Sequence, residues 1–194
     1  MSSREGVQFR VHTLASAPEK SRHALEVLDK DFGFIPNVAG VMAESPVLLN
    51  AFVGVFEQFH AGSFSDPERQ VLLLTNAVVN ACPWAVALHT ALALAVGVAP
   101  EDVRAIRDGA LPGTPKLAAL SALARALIET RGQVREHELA AFASAGYSSH
   151  HVLEVIVAVV GSTFTNYTAN VGHPAVEDRF AGHAWQPAGT RSLT

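Results

Sequence analysis

Two residues of this 194-residue chain have types and spacing that can do chemistry: Cys82 and His89. Cys82 stands directly before Pro83 in the run Asn80-Ala81-Cys82-Pro83-Trp84-Ala85. Proline is tolerated at the first position of a helix, so the cysteine is placed at a helix N-terminus. Unpaired backbone N–H groups carry partial positive charge there and favour an anion. A thiol in that place is expected to have a lowered pKa and a larger thiolate fraction. Trp84 is expected to shield it from bulk water. His89 follows seven residues later, two helical turns or about 10 Å of rise, so the two side chains should not touch. Position 85 lies on the same helix face as His89, and it is Ala85.

The elements that position these residues are helices. Residues 1–20 read as a polar N-terminal arm, and a first helix is expected from about Ser21 to Asp31. Gly33-Phe34-Ile35-Pro36-Asn37 reads as a turn in which Asn37 caps a short apolar helix running to Glu44. Ser45-Pro46 opens a longer helix to about His60. Ser65-Asp66-Pro67-Glu68 has capping-box spacing, and the helix over 66–81 is apolar nearly all round, which marks a central, buried helix. After Pro83 the next helix runs to about Val96, with Gly97 past its end. Further helices are expected at 100–109, 115–130 and 136–144, and a long last one follows Ser148 or Ser149. No segment alternates with period two, so the fold class is all-α. Gly97, Val103 and Ile106 recur in spacing as Gly146, Val152 and Val155, a weak sign of a duplicated helix hairpin. The tail 186–194 is expected to be disordered.

Composition narrows the setting. Charged residues make up 16% of the chain against about 25% in ordinary soluble domains, so part of the surface is expected to be covered by other subunits. Gln70 to Pro100 carries no charged residue, but Pro83, Asn76, Asn80 and His89 break it as a spanning helix. The N-terminus has no apolar signal region, so a cytoplasmic homo-oligomer is expected. A net charge of −4 with no basic stripe argues against nucleic acid. The single cysteine excludes an intrachain disulfide and a thiolate zinc cage. His150 and His151 point about 100° apart on a helix and read as solvated first-turn residues, not a metal pair. No metal and no cofactor are expected.

The stretch NACPWAVALHTALA resembles the alkyl hydroperoxidase D (AhpD) and carboxymuconolactone decarboxylase family. The redox branch of that family carries Glu-x11-Cys-x2-Cys-x3-His. Counting back from His89 puts its glutamate on Gln70, its first cysteine on Cys82 and its second on Ala85. Phe34-Ile35-Pro36-Asn37, Ser65 to Arg69, Pro115-Lys116-Leu117-Ala118-Ala119-Leu120, Thr130-Arg131-Gly132 and Asn166-Tyr167-Thr168 resemble the longer, peroxidase-related members. The resemblance implies an AhpD-like helical bundle over residues 21–185 as one domain, assembled as a trimer or hexamer.

It also implies an antioxidant oxidoreductase of the alkyl hydroperoxide or thiol peroxidase type, acting through Cys82, His89 and the Gln70 position. Ala85 cannot attack a peroxide, and Gln70 can hydrogen-bond but not exchange a proton. The two-cysteine cycle therefore cannot run. A one-cysteine cycle would pass through a sulfenic acid and use an external thiol reductant. Two alternatives stand beside it. One is a thiol-independent, decarboxylase-like enzyme in which His89 acts on a small carboxylic acid or lactone. The other is a non-catalytic oligomeric binding protein. Asn166 and Tyr167 are expected at a subunit interface.

Overall fold

A computed structural model describes residues 6–187. Among the described residues there are nine α-helices, one 3₁₀ helix and no strand. The helices are α1 (Glu19–Phe32), α2 (Asn37–Met42), α3 (Pro46–His60), α4 (Asp66–Val79), α5 (Pro83–Ala95), α6 (Pro100–Arg107), α7 (Pro115–Glu129), α8 (Glu136–Ser144) and α9 (Ser149–Gly172). The 3₁₀ helix spans Asp178–His183 within a C-terminal strap, 174–187.

The expected helices form, with ends set by local chemistry. Ser45 accepts a hydrogen bond from the Leu48 N–H, which starts α3 at Pro46. Glu68 reaches back to accept from the Ser65 N–H at 2.9 Å, the capping contact expected for α4. Gly97 and Gly146 take positive φ beyond the ends of α5 and α8, a conformation glycine adopts without strain. The helix after Gly97 has 8 residues and the one after Gly146 has 24, so the suggested duplication extends no further than these turns.

One cap differs from expectation. Pro36, not Asn37, precedes the first turn of α2. Asn37 is committed elsewhere: its N–H donates to Glu177 and its side-chain amide to the Ala175 carbonyl. The N-terminal arm is held too, since buried His12 lies 2.6 Å from Glu44 and its N–H donates to the Gly40 carbonyl. The tail expected after Trp185 lies almost entirely outside the described residues.

The core sits around α4. This helix packs against α5, α6, α7 and α9. Val71, Leu72, Leu74 and Ala77 are fully buried, so apolar residues around its circumference meet helices on every side. Several of its buried polar groups are paired outward. The Thr75 and Ser121 hydroxyls lie 2.8 Å apart, and the Asn76 amide donates to Ser162 at 3.0 Å.

At the start of α4, Glu68 accepts from Ser65, from Tyr147 at 2.8 Å and from Lys116 at 2.8 Å. Burial alone would raise its pKa; these donors reverse that and hold it at about 2. One carboxylate thus joins α4 to α7 and to the loop before α9.

α9 is the one helix among the described residues long and apolar enough to cross a membrane, with a mean hydropathy of 1.3. In the fold it packs against α2, α3, α4, α5 and α7. Its outer side leaves Leu153, Ile156, Val160, Tyr167 and Val171 exposed.

Glu68→Gln should destabilise the fold by about 2 kcal/mol at pH 7, because it replaces a charged acceptor of several donors by a neutral amide. Urea denaturation of the two proteins measures the difference.

Candidate functional site

Helices α4 and α5 form an antiparallel pair joined by 80–82. The turn is tight. Ala81 holds φ at 48°, a left-handed conformation that costs a non-glycine residue about 1 kcal/mol, and the Cys82 N–H donates to the Ala77 carbonyl. This pairing brings together Gln70 and His89, 19 residues apart in sequence. The His89 Nδ1 lies 3.1 Å from the Gln70 amide oxygen. With that oxygen facing it, Nδ1 carries the proton and donates. Nε2 is left as an acceptor.

Two spaces meet at the His89 ring. The inner one is an apolar cavity of about 60 Å³ bounded by Leu28, Phe52, Trp84, Leu88 and Ala158 among others. The outer one is a cleft of about 700 Å³ between α1, α3, α4, α5 and the strap. Phe32, Phe56, Leu73 and His89 line both, and His89 is the one polar residue they share. Gln70 and His60 line the outer cleft as well. Burial, with the neighbouring His60 adding to it, depresses the His89 pKa to about 3. The free site therefore presents a neutral imidazole at physiological pH.

Cys82 does not join this arrangement. It lines neither space and has no exposed surface. Its thiol does not have the acid shift expected of a helix N-terminus. Burial pushes the thiol up to about 11, against the opposing effect of the Ala85 and Trp84 N–H groups. The helix start is present, with α5 beginning at Pro83, but its field is outweighed by the loss of water around the sulfur. Ala85 is also fully buried. Trp84 lines the inner cavity, and its indole N–H donates to Glu177 at 3.0 Å.

Other singled-out residues are engaged separately. His150 pairs with Glu154 at 3.2 Å, whereas His151 accepts from the Ser148 N–H through Nδ1. Asn166 is buried while Tyr167 is exposed, so only the tyrosine is open to a neighbour.

Sequence reasoning missed Asp31, Glu57, His60, Arg179 and Phe180, which complete the cleft from three separate segments. No local motif marks them. It also missed Glu177, which ties the strap to both the Asn37 N–H and Trp84.

Residues 46–126, from the start of α3 into α7, match the model of the carboxymuconolactone decarboxylase family. That segment is of the carboxymuconolactone decarboxylase family, and the all-α fold around it is AhpD-like. A search of curated proteins finds no match. Among solved structures, the AhpD-like chain is similar to an uncharacterized peroxidase-related protein with an alkylhydroperoxidase AhpD core from Ralstonia eutropha JMP134. The two share 20% identity over 89% of this chain and 93% of that one, with a TM-score of 0.77. The debrominase Bmp8, in a cysteine-to-alanine variant complexed with 2,3,4-tribromopyrrole, matches at 15% identity over 94% and 97%, with a TM-score of 0.74. An uncharacterized peroxidase-related protein from Silicibacter sp. TM1040 matches at 16% identity over 94% and 98%, with a TM-score of 0.71. At these identities the likeness establishes the fold.

The depressed His89 pKa has a consequence for stability. The unfolded chain takes up a proton at His89 below about pH 6.5, whereas the native ring resists until about pH 3. Stability should therefore fall as pH drops through that window. Glu68 adds its own loss only below about pH 4.5. Thermal melts of His89→Asn should show a flatter decline than wild type between about pH 6.5 and 4.5.

Proposed function

We propose that the chain binds a small, mainly apolar molecule in the His89 cleft, and that His89 handles a proton of that molecule without a redox thiol. The observation that supports this most is the place of His89. It is the polar residue common to cleft and cavity, and Gln70 fixes its tautomer. The one-cysteine peroxidase reading has less support. A thiol with a pKa of about 11 is almost wholly protonated at neutral pH, and Cys82 lines neither space. The Bmp8 relative supports the ligand size, since it is complexed with a small halogenated ring.

The neutral ring accepts a hydrogen bond at Nε2 from an N–H or O–H of the ligand. It becomes a base when negative charge develops on the ligand, because the imidazolium and that charge then stabilise each other in a site of low polarity. Gln70 keeps Nδ1 protonated and the ring oriented. As an amide it takes no proton itself, so the proton received at Nε2 stays on His89 or returns to the ligand.

5-Nitrobenzisoxazole, an uncharged aromatic whose ring opens on loss of one proton, is a suitable probe. Wild type should open it about 100-fold faster than His89→Ala, the scale of a positioned general base. Cys82→Ala should match wild type. With cumene hydroperoxide and dithiothreitol, wild type and Cys82→Ala should show the same background rate. Hydroperoxide turnover that disappears in Cys82→Ala would restore the thiol reading and sink this one.

We also propose that the chain self-associates through the outer side of α9, where an apolar stripe lies exposed along the helix. The low charge content agrees with a covered face. Light scattering should give a mass of several subunits for wild type and a smaller one for the double variant Ile156→Glu, Val160→Glu. An unchanged mass in the variant would place the interface elsewhere.

A further inference from the structure

The outer cleft has fixed charges only near its mouth, and their sign bears on what enters. Asp31 from α1 and Glu57 from α3 are exposed there. Neither takes part in an ion pair among the described residues. Arg179 is the single Arg or Lys among the described lining residues, and its guanidinium lies 4.2 Å from the centre of the Phe34 ring. The lining thus holds two carboxylates against one cation, and that cation rests on an aromatic face.

Farther in, the walls are Phe32, Phe56, Leu73, Leu92 and Phe180. The polar groups beside them are Gln70, whose amide oxygen is engaged, His60, whose pKa is lowered chiefly by burial so that its ring is no cation at pH 7, and His89, whose Nε2 offers a lone pair. A lone pair in an apolar site holds a donor. A carboxylate placed there would lose its hydration, meet no cation and face the lone pair, after passing two like charges. Flat aromatic walls suit a ring, which buries large area at small entropic cost.

We propose that the cleft takes an uncharged aromatic compound that presents one N–H or O–H to His89 Nε2, and that it rejects carboxylates. This assignment rests on the reading of the His89 cleft as the ligand site. It departs from the small carboxylic acid of the decarboxylase-like alternative, which would need a cation close to His89.

Calorimetry at pH 7 with three matched probes tests it. p-Cresol has the ring and the donor, 4-methylanisole has the ring alone, and 4-hydroxybenzoate adds an ionised carboxylate. p-Cresol should bind most tightly. 4-Hydroxybenzoate should bind at least about tenfold more weakly, as expected for an anion without a partner. 4-Methylanisole should also bind more weakly than p-cresol, a comparison made on wild type and independent of any variant's folding. His89→Ala should bring p-cresol down to the affinity of 4-methylanisole. If 4-hydroxybenzoate binds as tightly as p-cresol, the ligand class is overturned while the His89 cleft stands as the site. If p-cresol does not bind, or binds His89→Ala and wild type alike, the site itself is overturned and the ligand class with it.

Discussion

A helix enclosed on every side leaves its polar side chains no water to turn to, so each must find a partner on a neighbouring element. α4 is that helix here, and its polar residues join much of the fold. Glu68 ties it to α7 and the loop before α9, Gln70 to α5, Thr75 to α7 and Asn76 to α9. Apolar packing supplies most of the driving force for burying α4. The polar rungs restrict how each neighbour is rotated and shifted along it, because a misplaced rung leaves a buried group unpaired at a cost of about 1–3 kcal/mol. The His89 site is one of these rungs. Its geometry is a by-product of how α4 is enclosed.

The same enclosure accounts for the contrast between Cys82 and His89. Both lie on α5 or at its start, in a segment without charged residues, and both lose solvation. Desolvation favours the neutral form of each, raising the thiol and lowering the imidazole. A neutral thiol is a poor nucleophile, whereas a neutral imidazole is a serviceable acceptor. Burial therefore quiets one residue of the Cys82–His89 run and leaves the other usable. Only His89 also borders open space.

The strap shows how a site can lie partly outside a family core. The matched segment 46–126 contributes Gln70 and His89, while Asp31, Phe34, Arg179 and Phe180 come from outside it. Glu177 holds the strap by accepting from Asn37 and Trp84, on two elements that border the inner cavity region.

The sequence by itself determined the all-helical class, the enclosed character of α4, most helix ends and the Cys82, Ala85 and His89 frame. Those features are local: periodicity, capping residues and spacing along a helix are written in consecutive positions. Whether Cys82 reached water was decided only by tertiary structure. A helix start predicts a favourable field, but the desolvation that outweighed it depends on what packs around the sulfur. The mouth of the cleft was equally out of reach, because Asp31, His60 and Arg179 meet there from distant segments. The Asn37 cap failed for a related reason. Glu177 and the Ala175 carbonyl, far along the chain, engaged its backbone N–H and its side chain. What began as an activated cysteine with a distant histidine became a sealed thiol beside an open histidine site, and burial is the physical reason for both.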